Sequence, residues 1–205
     1  MLKFSKLLYP SGLILILVNL TPIIGLLFWD WDVFTIIILY WMESAVVGFF
    51  NILKMQRINN YVFSPALPLF IVHYSIFMFV HLFFILQFFK PDLGSAIEQF
   101  GAFKIVFKYL EGLLISLAFL FLSHGLSFIF NFIKKEEYKN SSLVKQIFFP
   151  YQRIIIMQIV IFLIGSGVFY YGYSQDLSAI AFLVILKIFF DLVGHIFEHR
   201  KNILS

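Results

Sequence analysis

The chain has 205 residues, of which 61% are hydrophobic and 13% charged, where a soluble domain averages about 25% charged. At roughly 20 apolar residues per membrane-crossing helix, that content is enough for roughly six spans, and it excludes a soluble enzyme, a disordered chain and a nucleic-acid-binding domain. The +4 net charge is placed between apolar stretches, and the lack of cysteine excludes disulfides, thiolate metal sites, iron–sulfur clusters and cysteine nucleophiles.

Six apolar segments follow one another: Pro10–Phe28, Val33–Met55, Pro65–Phe89, Leu110–Ile133, Tyr151–Tyr171 and Leu177–His199. At 1.5 Å per residue each can cross roughly 30 Å of hydrocarbon. They are continuously apolar and too long for barrel strands. The expected fold is therefore all-α: one transmembrane domain over residues 1–205, a polytopic bundle of six transmembrane helices with short loops. The first segment follows Lys3 and Lys6 as a signal peptide would. No small-residue cleavage site comes after it, only Leu27-Phe28-Trp29-Asp30, so it reads as a retained helix with a kink at Thr21-Pro22.

Loop charges set the expected orientation. With a cytoplasmic N-terminus, the inner side carries eleven Lys and Arg, including Lys54, Arg57, Lys134, Lys135, Lys139, Lys145 and Arg153, and the outer side carries three, Lys90, Lys104 and Lys108. This bias places both termini in the cytoplasm of a bacterial-type inner membrane. Trp29-Asp30-Trp31-Asp32 and Ser174-Gln175-Asp176 form tight outer turns. Glu98–Glu111 reads as an amphipathic helix on the outer surface. Lys134–Phe149 is the one sizeable inner loop.

Charged groups inside hydrocarbon cost on the order of 2.5–3.5 kcal/mol each, so the polar residues of the spans are the informative ones. Tyr40, Glu43, Ser44, Asn51 and Lys54 share one arc of the second span. Ser116, Ser123, His124, Ser127 and Asn131 share one arc of the fourth. Lys187, Asp191, His195, Glu198 and His199 share one arc of the sixth. Counted from the cytoplasmic ends, Glu43, His73, His124 and Asp191 fall at one level, roughly 12–16 Å deep. His195, Ser127 and Gln158 lie lower, at roughly 8–10 Å, while His81 and Lys187 lie higher, at roughly 20–24 Å.

Two imidazoles and two carboxylates at one level suit a divalent ion, with zinc or iron as the expected metals. The expected ligand set is Glu43, His73, His124, Asp191 and His195. Glu43 and Asp191 are the catalytic carboxylates, one of them a general base on metal-bound water. Asn51, Ser127 and Asn131 line the cytoplasmic approach. The opposing reading is a hydrogen-bonded network that only locks the bundle.

Tyr40-Trp41-Met42-Glu43-Ser44-Ala45-Val46-Val47-Gly48 with Asn51-Ile52-Leu53-Lys54-Met55 resembles the early signature of an integral membrane family known as domain of unknown function 6498. Further similar strings are His73-Tyr74 with His81, Ser123-His124-Gly125, Pro150-Tyr151 with Arg153, and Asp191-Leu192 with His195. One departure is Ser44, where the pattern has Asn. This resemblance implies a multi-helix membrane protein and no particular substrate. Separately, the His195/His199 spacing on the last helix is similar to the zinc site of membrane hydrolases such as the alkaline ceramidases. It implies a metal-dependent hydrolase acting on a lipid-like substrate, with membrane lipid as partner and no nucleic acid. A small transporter or proton-coupled carrier is the alternative, although no inverted repeat is visible.

Overall fold

The structure, a computed structural model, describes residues 31–59, 65–89 and 111–171, with scattered positions between 22 and 29. Every regular element among these residues is helical. They are α1 (Val33–Asn59), α2 (Ala66–Phe89), α3 (Leu114–Ser127) continuing into a π-helical stretch (Phe128–Ile133), a 3-10 turn (Glu137–Asn140) and α4 (Leu143–Tyr171).

Among the described residues four helices are long and apolar enough to cross a membrane, against the six expected of the whole chain. They are the expected spans two to five. The first and sixth, Pro10–Phe28 and Leu177–His199, lie outside the described residues apart from scattered positions of the first. The outer-surface helix lies outside them too, except Glu111, as does the Ser174–Asp176 turn.

α1 is the axis of the described bundle. In its apolar window 72% of the residues are buried, against 28%, 11% and 24% in α2, α3 and α4. Val33, Phe34, Ile36, Ile37, Ile38 and Leu39 are all buried, which is the pattern of a helix enclosed on every side. α2 and α4 pack on α1 and on each other, while α3 packs on α1.

Local chemistry fixes the start of α1. Asp32 Oδ1 accepts from the Thr35 amide at 2.8 Å and from the Thr35 hydroxyl at 2.5 Å, a side-chain cap on the first turn. Just before it, the Trp29 and Trp31 amides both donate to Gly25 O, at 3.0 and 3.1 Å, closing the turn into the helix. Between α1 and α2 the approach is close at Gly48. A Cβ there would lie 2.3 Å from Tyr74 Cε1, so glycine leaves the space the phenol ring occupies. The same ring extends its hydroxyl to Ser44 O at 2.7 Å.

α4 corrects the expected inner loop. It begins at Leu143, eight residues ahead of the expected Tyr151, and runs through Pro150. Proline ends most helices because it lacks an N–H and leaves the carbonyl four residues earlier without a donor. Here that carbonyl is Gln146 O, and Asn51 Nδ2 on α1 donates to it at 2.9 Å. A neighbouring helix supplies the missing bond, and α4 continues. The loop shrinks to the stretch around the 3-10 turn, where Glu136 takes a left-handed φ of 56°.

The earlier start puts every residue of α4 about 12 Å further from the helix start than a start at Tyr151 would. Arg153 stands about 15 Å along the helix. Gln158 leaves the lower layer and reaches about 22 Å, level with His81 on α2.

Candidate functional site

The polar stripe expected on α1 is present and inward-facing. Tyr40, Glu43, Ser44 and Asn51 are all buried. Ser44 Oγ donates to Tyr40 O at 3.1 Å, the back-bond by which a helical serine satisfies its hydroxyl within its own helix. Asn51 is held at both ends of its amide: Nδ2 donates to Gln146 O, and Oδ1 accepts from Gln146 Nε2 at 2.6 Å. That exchange places Asn51 in the helix packing, where sequence had placed it on the approach to a site.

Glu43 lies between two helices. Arg153 Nη1 of α4 donates to Glu43 Oε1 at 3.0 Å, and His124 Nε2 of α3 stands 3.9 Å from the same oxygen. The Glu43 side chain is only 5% exposed, while Arg153 and His124 are 27% and 23% exposed. The carboxylate is therefore sealed and its two neighbours reach the surface. His124 stacks against Phe50 of α1, ring centroids 6.4 Å apart, which holds its imidazole plane beside the carboxylate.

From His124 a polar ladder descends α3. Asn131 Nδ2 donates to Ser127 Oγ at 3.3 Å, and Lys135 Nζ donates to Asn131 Oδ1 at 2.8 Å. The ladder straddles the π-helical stretch, with Ser127 before it, Asn131 in it and Lys135 after it, and the Lys134 amide donates to Ile129 O five residues back at 2.9 Å. Insertions of this kind often occur at functional sites. Around this end lie further cations on aromatic faces: Lys54 over Phe132 at 5.4 Å, Arg57 over Tyr138 at 4.7 Å and Lys134 over Phe130 at 4.4 Å.

His73 is placed elsewhere. It is exposed, its Nδ1 is 2.7 Å from Tyr151 OH, and its ring packs on Phe77 and Tyr151. Tyr151 and Arg153 are two residues apart on α4 and so point to opposite faces. Depth alone had grouped His73 with Glu43, and azimuth separates them.

Of the five expected metal ligands, the structure brings Glu43 and His124 together and sends His73 to Tyr151. Asp191 and His195 lie outside the described residues. Among the described residues, no three His, Asp or Glu side chains gather within reach of one ion. Arg153 and Gln146 carry much of the observed geometry; the sequence places Gln146 in the inner loop and Arg153 at the inner end of the fifth span, counted only as a loop charge. The signal was available: a glutamate in mid-span demands a cation or donor, and Pro150-Tyr151-x-Arg153 lies on the facing segment.

What the arrangement offers is a guanidinium able to hold an anion, a carboxylate able to take a proton and an imidazole able to give one. Among curated proteins and among solved structures, no match to the chain was found. Over residues 1–204 it matches the model of a family of unknown function, DUF6498, and it belongs to that family.

Proposed function

We propose that the protein is a six-span membrane hydrolase that acts on a lipid-like substrate with an anionic headgroup, through a site formed by Glu43, Arg153 and His124. The observation that carries this reading is the shared oxygen: Glu43 Oε1 faces Arg153 at 3.0 Å and His124 at 3.9 Å from two different helices. Burying a carboxylate and a guanidinium is costly even when they pair, and intramembrane ionisable groups mark functional sites more often than they stabilise.

In this mechanism Arg153 receives the substrate's anionic oxygens, for which its planar fork is suited. That releases Glu43 to take a proton from water as it attacks the ester carbon or phosphorus. His124 protonates the leaving oxygen. Ser127, Asn131 and Lys135 line the way in from the cytoplasmic end, where exposed Lys and Arg favour anionic headgroups. The first and sixth apolar segments complete the bundle of six in an inner membrane, with both termini cytoplasmic.

A zinc or iron site would take Glu43 and His124 from the described helices and Asp191 and His195 from the C-terminal segment. Arg153 on Glu43 Oε1 favours the acid–base form of the site over that one, since the guanidinium already holds an oxygen that an ion would need.

The test is product formation by the purified full chain in micelles containing phosphatidylglycerol, run in ¹⁸O-water. The expected result is label in the released acid or phosphate. Glu43→Gln and His124→Ala abolish that release. Substrate binding that depends on Arg153 without any release would identify a carrier instead. About one zinc or iron per chain, lost in a Glu43→Ala, His124→Ala double variant, would reinstate the metal site.

A further inference from the structure

A groove lies between α2 and α4, on the side of α4 away from Arg153. The two helices run parallel: His73 meets Tyr151 near their starts, and eleven residues further along each Phe84 meets Phe162, ring centroids 5.3 Å apart. The groove measures about 550 Å³, within the range of small-molecule sites. Phe77, Val80, Ile155, Ile159 and Leu163 line it and are exposed, so it opens sideways, toward the bilayer in a membrane-spanning chain.

One end of this groove is polar. Phe77 lines it and also packs on both members of the His73–Tyr151 pair, ring centroids 5.1 and 5.9 Å away. His73 is exposed, Tyr151 is half-buried, and Nδ1 of the first lies 2.7 Å from the hydroxyl of the second. Among the described residues this is the one hydrogen bond that either side chain makes. It has two forms. Where the Tyr151 hydroxyl donates to Nδ1, the ring proton sits on Nε2; where Nδ1–H donates to the hydroxyl, the phenol hydrogen stays free. Either form leaves the pair one donor to spend, and the hydrocarbon layer holds no water to accept it. The occupant of the polar end is therefore an acceptor.

Depth says which acceptor. α4 has 29 residues and is about 43 Å long, the thickness of a bilayer with its headgroups. Tyr151 stands about 12 Å from the helix start, which is about 6 Å inside a hydrocarbon layer of roughly 30 Å. This is close below the level of acyl ester carbonyls. From there the groove continues past Ile155 and Ile159 to Phe162, about 28 Å along the helix and beyond the bilayer midplane. A donor near the ester level and an apolar channel leading inward match the layout of one lipid tail with its ester. With the Lys- and Arg-rich end of the bundle cytoplasmic, that lipid belongs to the inner leaflet.

We infer that this groove seats one acyl chain of an inner-leaflet membrane lipid, the chain along Phe77, Ile155 and Ile159 and its ester carbonyl accepting a hydrogen bond from the His73–Tyr151 pair. The groove reads the ester and the tail and is indifferent to headgroup charge. It is independent of the Glu43 site.

The test uses the full chain in neutral micelles. A phosphatidylcholine with a diazirine on one acyl chain is photo-crosslinked in competition with unlabelled diacyl phosphatidylcholine or its dialkyl ether analogue, which lacks the carbonyls. Expected is labelling of the α2 and α4 peptides, competed about threefold more strongly by the ester lipid, the effect of one hydrogen bond within a membrane. His73→Phe alone keeps that preference, because the Tyr151 hydroxyl still donates. His73→Phe with Tyr151→Phe abolishes it, and Glu43→Gln with Arg153→Gln keeps it. Ile159→Trp fills the groove and cuts labelling at least fivefold. Equal competition by ester and ether lipid in the wild type would overturn the inference and leave the groove as a seat for any alkyl chain. A preference that survives the double Phe variant would overturn it too, and so would labelling that Ile159→Trp leaves unchanged.

Discussion

Asn51 and Glu43 sit on one stripe of α1, two turns apart, and both meet α4. Asn51 meets Gln146 in a closed exchange: its amide accepts from the Gln146 side chain and donates to the Gln146 backbone carbonyl, which Pro150 leaves without a helical donor. Glu43 meets Arg153 and approaches His124, and both partners reach the surface. One contact answers a demand made by the backbone. The other sets two charges within an apolar bundle, where ionisable groups are costly. In a membrane bundle, polarity of a face therefore does not separate structure from function. What separates them is whether the interaction answers a need created by the chain itself.

Substitution can break this contrast, and the largest effect is expected at the charged pair. Glu43→Ala removes the carboxylate from Arg153 and should destabilise by about 2–3 kcal/mol, below the roughly 3–5 kcal/mol for a wholly buried pair because Arg153 is part-exposed. Glu43→Gln with Arg153→Gln should recover most of that loss in thermal unfolding of the detergent-solubilised chain and should remain inactive. If the pair serves only the fold, the double variant should lose stability as the single one does.

The Asn51 lock should behave in the opposite way. Asn51→Ala should cost about 1–2 kcal/mol, near the upper measured limit for hydrogen bonds between membrane helices. In a Pro150→Ala background, Gln146 O regains its own helical donor and the cost of Asn51→Ala should fall by at least half. A double-mutant cycle by denaturant unfolding reads this coupling. Strict additivity would detach Asn51 from the proline. Activity in Asn51→Ala should track the folded fraction and nothing more.

His124→Ala sharpens the comparison from the other side. Its Nε2 lies 3.9 Å from Glu43, beyond hydrogen-bonding distance, and the ring is part-exposed. The midpoint should shift by less than the equivalent of about 1 kcal/mol, the usual ceiling for part-exposed ion pairs, while substrate turnover is lost. The smallest effect belongs to the turn between α3 and α4. Lys139 Nζ donates to Glu136 Oε2 at 2.5 Å, and this bond raises the lysine pKa above its ordinary 10.5. A raised folded-state value means the contribution is complete at neutral pH and fades only as pH rises through that value. Lys139→Ala should leave the midpoint unchanged within error at pH 7, and any difference from wild type should vanish in strong alkali.

Spans two to five were legible because each is a long apolar run bounded by polar or proline-containing sequence. The buried stripe of α1 was legible because polar residues recur at helical spacing. Gln146 was not, because the expected fifth span starts after Pro150 and the donor that lets α4 pass through it sits 95 residues away on Asn51; Arg153 lay within that span but counted only as an inner-side charge. Tertiary rescue of a backbone carbonyl leaves no local trace. His73 was misplaced because residue counting yields depth and not azimuth. The π-helical stretch after Ser127 has no sequence signature, and it alters the angular spacing of Ser127, Asn131 and Lys135. Glu43 beside His124 was legible, since both lie on polar arcs at one level.

The most direct test of the central claim, that Glu43 and Arg153 form a ligand site and not a structural clamp, is equilibrium binding of a fluorescent phosphatidylglycerol to the purified chain in neutral micelles. Wild type is compared with the Glu43→Gln, Arg153→Gln double variant. Saturable binding by wild type, at least tenfold weaker in a double variant that keeps its thermal midpoint within a few degrees, is the result this account predicts. Equal binding by both proteins, or a double variant that unfolds as readily as Glu43→Ala, would contradict it.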